Sequence, residues 1–201
     1  MKRILISQRL DTVPGRDEER DALDVRWAQL LFSLGFLPIP VCSALANEAD
    51  YLAQLQPDAI ILSGGNDIGQ APSRDRLETQ LLDYAKAKQL PVLGVCRGMQ
   101  MLNHYLGGSL VTVSGHVATR HALQGDWAQQ YGYQQVNSYH NLAITHATLA
   151  ADLEVLATSP DGVIEAVECS HLPWLGIMWH PEREAQLQPA DQQLLNQHLN
   201  R

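Results

Sequence analysis

Cysteine is scarce in this 201-residue chain: three residues, Cys42, Cys96 and Cys169, odd in number and far apart. That excludes a disulfide scaffold or a zinc knuckle and points to a reducing, cytoplasmic setting. Charge is also thin, with 18 % charged residues against the usual quarter and 45 % hydrophobic ones. Such a balance excludes long disordered stretches. Basic residues are the scarcer sign, 14 against 22 acidic, for a net charge of −8. That argues against a nucleic-acid surface, although a local basic pocket stays open. Long apolar runs are missing, so no membrane partner is expected. The opening MKRILISQR returns to polar residues too soon for a secretory leader and reads as a first strand. Internal repeats, low-complexity tracts and linkers are missing too, and one domain over residues 1–201 is expected.

What is present is a repeated strand–helix alternation. Apolar runs predict strands at Ile4 to Ile6, Pro38 to Val41, Ala59 to Leu62 and Pro91 to Val95. Helical spacing predicts helices from Leu23 to Leu34, Glu48 to Leu55, Leu77 to Lys88 and Gly98 to Leu106. The charged stretch Asp11 to Arg20, with Pro14-Gly15, reads as a loop. In the second half, Tyr131 to Val136, Ala143 to Thr145, Leu153 to Ala157, Val163 to Glu168 and Leu175 to Trp179 read as short strands, before a last helix at Ala190 to Leu199. The pattern predicts an α/β fold: an open, mostly parallel sheet with flanking helices and a small antiparallel extension.

The sharpest local signal is Leu93-Gly94-Val95-Cys96-Arg97-Gly98-Met99-Gln100. An apolar strand ends at one residue and a helix begins at the next, with glycines that permit a tight turn. Cys96 then stands at the apex of a strand–turn–helix elbow, where helix N–H groups favour a thiolate. The Arg97 N–H can face an oxyanion on the attacked carbonyl. Taken alone, a cysteine here is equally a small buried hydrophobe. Cys42 and Cys169 lack any such context and read as structural.

Four segments carry a family resemblance: Leu62-Ser63-Gly64-Gly65-Asn66-Asp67, Gly94 to Gln100, Val136-Asn137-Ser138-Tyr139-His140, and Gly176-Ile177-Met178-Trp179-His180-Pro181-Glu182. In this order they resemble class I glutamine amidotransferase domains, and within them the γ-glutamyl hydrolase branch, the C26 peptidases. The resemblance spans nearly the whole chain and implies a flavodoxin-like sheet. It implies that Cys96 is the nucleophile, His180 the base and later acid, and Glu182 the partner that orients His180. By themselves, a histidine at a strand tip and a nearby glutamate would also suit a solvated loop.

The paired glycines after the third strand allow a backbone N–H to approach a ligand. The resemblance favours Gly65, with Gly64 one residue away as the other choice, working with Arg97 as the oxyanion hole. It also implies that Gln100, Asn137, Ser138, Tyr139 and His140, with Gly64, hold the glutamyl half of a substrate. His104, His116, His121, His146 and His171 show no metal-ligand spacing, so neither a structural zinc nor any other cofactor is expected.

The resemblance implies cysteine-dependent hydrolysis of a γ-glutamyl amide or phosphoramidate through a glutamyl thioester, on a small-molecule substrate. Ser7-Gln8-Arg9-Leu10-Asp11, Glu18 to Asp24 and Trp27 look like the branch acting on γ-glutamyl-CDP-amidate in capsule phosphoramidate synthesis. Arg16, Arg20, Arg74 and Arg76 are candidate contacts for its diphosphate. γ-Glutamyl amines and folate polyglutamates are the other substrates the branch implies. Two further readings stay open: a glutaminase that delivers ammonia to a synthase partner, disfavoured by Arg97, and a non-catalytic binding protein. Arg97 could also tie the elbow to Asp75 or Glu78. Oligomeric state is not written in the sequence.

Overall fold

In chain order the elements are β1 (Arg3–Ile6), β2 (Arg9–Thr12), β3 (Glu19–Ala22), α1 (Val25–Ser33), β4 (Leu37–Pro40), α2 (Glu48–Leu55), β5 (Ala59–Leu62), α3 (Pro72–Lys88), β6 (Val92–Val95) and α4 (Arg97–Tyr105). There follow β7 (Val111–Thr112), β8 (Val117–Ala122), α5 (Asp126–Tyr131), β9 (Gln135–Tyr139), β10 (Leu142–Ala143), β11 (Leu153–Thr158), β12 (Ile164–Cys169), β13 (Trp174–Ile177) and α6 (Pro189–Leu199). This computed structural model describes residues 1–45 and 48–201.

Seven strands form the main sheet in the order β11-β12-β13-β6-β5-β1-β4. The five from β13 to β4 pair in parallel, and β12 and β11 add antiparallel strands at one edge. The α/β class, the mostly parallel sheet and the antiparallel extension expected from sequence are all present. β5, β6 and β13 are buried along their whole length, which is why they lack polar alternation. From β1 the chain crosses to β4 on one side, then returns to β5 on the other. The carboxyl ends of the strands beside this reversal form the crevice where open α/β sheets bind ligands.

Three segments differ from the sequence reading. Asp11 to Arg20 is not a plain loop: β2 and β3 pair as a hairpin, with Arg9 opposite Ala22 and Thr12 opposite Glu19. Asn66 docks this hairpin over the turn after β5, accepting from the Leu10 N–H at 2.8 Å and donating to its carbonyl at 3.0 Å. Helix α3 begins at Pro72 rather than Leu77, with Pro at its first turn and Asp75 near its positive end. The region predicted as a strand from Tyr131 is the end of helix α5, capped by Gly132 at φ 82°. Trp127, Ala128 and Tyr131 follow helical spacing, and the Trp127, Tyr131 and Tyr133 rings pack together and onto Trp179. Strand β9 therefore begins later and runs through Tyr139.

Among the described residues no helix is long and apolar enough to cross a membrane.

Candidate active site

The elbow forms where β6 meets α4. Cys96 has φ 53° and ψ −105°, an unusual backbone for a residue with a β-carbon. Two hydrogen bonds hold it there: its N–H donates to the Ile177 carbonyl at 2.8 Å, and its carbonyl accepts from the Gln100 N–H at 3.1 Å. Gly98 permits the turn, because its Cα lies against the Leu62 carbonyl and a side chain there would overlap backbone.

Strand β13 runs parallel to β6, with Ile177 paired to Val95, so the segment leaving β13 carries His180 to the same end of the sheet as Cys96. His180 is 1 % exposed. Its Nδ1 lies 2.7 Å from Glu182 Oε1, on the short 3-10 turn Pro181–Arg183. Burial alone would favour the neutral imidazole, but the neighbouring Cys96 sulfur and the Glu182 carboxylate outweigh it and raise the His180 pKa to about 9. Gly64 makes room for this ring: a β-carbon there would lie 2.7 Å from His180 Cε1. Gly65, at φ 89°, adopts a conformation that favours glycine.

An ion-pair network ties the elbow to the turn carrying these glycines. The Arg97 guanidinium is buried and reaches both Glu78 and Asp75, the two partners expected from sequence. Glu78 also accepts from Arg74 Nε at 2.9 Å and from the Ser7 hydroxyl at 2.8 Å. Ser7 in turn accepts the Ser63 N–H at 3.0 Å, and Arg74 donates to the carbonyls of Ser63 and Gly65. Arg74 is consequently fully buried and cannot meet a leaving group, which corrects the sequence expectation. A guanidinium four residues from a buried carboxylate on one helix face pairs with it rather than with a solvent-borne ligand. Arg16 and Arg20 are exposed and pair with Glu18, and Arg76 is exposed on α3.

The polar segment around β9 divides into several roles. The Asn137 side chain donates to the His180 carbonyl and to Glu184 and accepts the His180 N–H, so its amide is occupied by protein. The Ser138 hydroxyl donates to the His116 carbonyl at 2.7 Å. Tyr139 is partly exposed, stands edge-on to the His180 ring, and lies beneath the Arg183 guanidinium. His140 follows β9 and turns toward Glu165, with 3.5 Å from its Nε2 to Glu165 Oε1. Gln100 is buried and donates to the Leu142 carbonyl at 2.9 Å.

A cleft of about 290 Å³ opens beside this centre, lined by Arg9, Asp11, Asp24, Ser63, Gly64 and Glu182, among others. Arg9 and Arg183 both line it; Arg9 stands in a segment that carries the resemblance, but neither was given a site role from sequence. A β-hairpin that folds back over the sheet end brings Arg9 there, a long-range placement without a local signal.

The peptidase C26 family model matches residues 7–182. A γ-glutamyl-CDP-amidate hydrolase of Campylobacter jejuni is 34 % identical over 191 residues, which cover 89 % of this chain and 89 % of that protein. The γ-glutamyl-γ-aminobutyrate hydrolase PuuD of Escherichia coli K12 is 29 % identical over 201 residues, covering 80 % and 78 %. A solved glutamine amidotransferase of Thermotoga maritima superposes with a TM-score of 0.68 at 14 % identity, covering 99 % of this chain and 84 % of that one, a likeness of fold.

Proposed function

This chain belongs to the peptidase C26 family, and from that premise we propose that it hydrolyses γ-glutamyl amide bonds with Cys96, His180 and Glu182 as its triad. The observation that carries the reading is the buried His180 ring, held by Glu182 at 2.7 Å at the sheet end that also carries the Cys96 elbow.

The Cys96 sulfur attacks the γ-carbonyl carbon, and negative charge gathers on its oxygen. The N–H groups of Arg97 and of Gly65 or Gly64 receive that charge. His180 holds its proton at neutral pH and delivers it to the departing nitrogen as the carbon–nitrogen bond breaks. The product is a γ-glutamyl thioester. His180, now neutral, takes a proton from water as the water oxygen attacks the thioester, and the carbon–sulfur bond breaks to free glutamate and restore Cys96. Tyr139 and Gln100 border the glutamyl half, while Asn137 and Ser138 support the segment around it.

The substrate we favour is γ-glutamyl-CDP-amidate. Support comes from the Campylobacter jejuni relative, similar over most of both chains, and from two guanidiniums, Arg9 and Arg183, at the cleft. Arg–phosphate pairing is charge-assisted and directional. A γ-glutamyl amine is the second reading, because Asp11 and Asp24 also line the cleft and suit a cationic leaving amine. Ammonia delivery to a synthase partner ranks below both.

Glutamate release from γ-glutamyl-CDP-amidate, γ-glutamyl-γ-aminobutyrate, a folate polyglutamate and glutamine, each compared by kcat/KM, tests the assignment. The nucleotide amidate should lead, and Arg9→Gln with Arg183→Gln should lower its kcat/KM more than that of a small neutral amide. Efficient cleavage of the amine with no amidate turnover would move the substrate to the amine. Turnover only with an added synthase would favour ammonia delivery.

A further inference from the structure

Outside the triad, three histidines and one glutamate converge where the β8–β9 hairpin meets the main sheet. His116 precedes β8, His121 lies on β8, His140 follows β9, and Glu165 is on β12. One ligand-type atom from each lies within 4.8 Å of the others. Glu165 Oε1 is 3.6 Å from His116 Nδ1, 3.3 Å from His121 Nε2 and 3.5 Å from His140 Nε2. Glu165 is fully buried, and His116 and His140 nearly so.

The other nitrogen of each ring decides what these inner atoms are. His116 Nε2 lies 3.0 Å from Asp161 Oδ2, His140 Nδ1 lies 3.1 Å from the Leu142 carbonyl, and His121 Nδ1 lies 3.3 Å from the Ala122 carbonyl. All three outer partners are acceptors, so each ring uses its N–H outward. Each inner nitrogen of the neutral ring then presents a lone pair. Three lone pairs and a carboxylate face one point, and none of the inner nitrogens, nor either Glu165 oxygen, has a hydrogen-bond partner. Buried polar atoms are rarely left in this state. A proton on one ring would pair it with Glu165 Oε1 and still leave the other two inner nitrogens facing that same oxygen.

A cation at the centre resolves it. Tetrahedral zinc with bonds of about 2.0–2.1 Å has ligand-to-ligand edges of about 3.3–3.4 Å. The nitrogen–oxygen separations are within a few tenths of that edge, and small side-chain shifts would close the wider pairs. The outward hydrogen bonds to a carboxylate and carbonyls are the supports that orient metal-ligating histidines.

We propose that His116, His121, His140 and Glu165 form a structural zinc(II) site. Its four protein ligands leave no open position, which separates it from a catalytic zinc. The ion joins both strands of the hairpin to β12. The Leu142 carbonyl that orients His140 also accepts from Gln100, so the same ion braces the segment beside the elbow helix. Linear spacing conceals the set. His116 and His121 are five residues apart, which in a regular strand puts them on opposite faces. The β-bulge between Val117 and Thr119, with Ala118 at φ 54°, adds a residue and returns them to one side. The sequence expectation of no zinc rested on that spacing.

The test uses the full-length protein. After exhaustive chelation and exposure to zinc, then gel filtration, elemental analysis should find a single tightly held zinc per chain, and the metal should raise the melting temperature. Cobalt(II) in its place should give the visible d–d bands of a tetrahedral site without thiolate charge transfer. Glu165→Gln and His140→Ala should weaken zinc affinity at least about 100-fold, since even supporting residues of metal sites are worth 10- to 100-fold. Cys96→Ser and His171→Ala should hold zinc like the parent. Should the ligand variants fail to fold, the cobalt spectrum of the parent and the zinc content of Cys96→Ser still decide. A parent chain that retains no zinc and melts unchanged would overturn the site, as would a thiolate–cobalt band or zinc lost from Cys96→Ser.

Discussion

Asn137 grips His180 on both its backbone polar groups: its Nδ2 donates to the His180 carbonyl at 2.8 Å, and its Oδ1 accepts the His180 N–H at 2.9 Å. The strand end that presents the imidazole is therefore held by a side chain from β9. Asn137→Ala would leave that buried N–H and carbonyl unpaired, at about 1–3 kcal/mol each. Misplacement of the ring by an ångström can lower turnover by about 100-fold. The expected outcome is a fall in kcat with KM little changed. A rise in KM at constant kcat would instead make Asn137 a substrate contact.

Cys96 sits at φ 53°, where a β-carbon is strained by about 1–3 kcal/mol. Cys96→Gly and Cys96→Ala should both abolish turnover. Their stabilities should differ in an inverted sense, with the glycine variant more stable by about 1 kcal/mol despite glycine's usual entropic penalty. Urea midpoints of the two variants check this. An alanine variant that is the more stable would show that the elbow carries no such strain.

Glu78 is fully buried and pairs with both Arg74 and Arg97. Removing the carboxylate leaves two guanidiniums with reduced compensation in the interior. Glu78→Ala should destabilise by about 3–5 kcal/mol, as for other broken buried pairs. Glu78→Gln, which keeps the shape, should fold better yet lower kcat, because the Arg97 and Ser63–Gly65 backbones lose their common anchor. Denaturation curves read beside kcat separate the two effects. A Glu78→Gln variant with parental stability and kcat would remove Glu78 from this role.

The pH dependence follows from His180, whose pKa is raised from 6.5 to about 9. The folded protein keeps this proton where the unfolded chain releases it. The resulting stability is complete below about pH 6.5 and is lost as pH rises through about 9. In the proposed mechanism turnover needs the proton for the leaving nitrogen, so kcat/KM should fall on an alkaline limb near pH 9. Profiles of kcat/KM, and of the urea midpoint for parent and His180→Ala, measure both. An alkaline limb near pH 7, or equal midpoint changes in the two proteins, would contradict the proposed pairing of His180 with Cys96 and Glu182.

Part of this arrangement was legible in the linear sequence. The unbroken apolar runs at β5 and β6 and the glycines around Cys96 announced buried parallel strands and an elbow, because burial and tight turns impose local composition. The same local logic misread the hairpin and α5. The charges of Asp11 to Arg20 looked like a loop until Asn66 docked them, and the Tyr131–Tyr133 alternation hid a helix that packs onto Trp179.

Strand periods, the elbow and the order of the motifs were determined by the sequence itself, since each depends on neighbours within a few residues. Only the tertiary structure decided that Arg74 is buried by Glu78 and that Arg9 and Arg183 line the cleft. It alone brings Glu165 to three histidines from another hairpin. Those outcomes depend on which strands become neighbours and on where a bulge resets a face. Charges and ligand atoms meet across those junctions through space, and no spacing along the chain encodes the meeting.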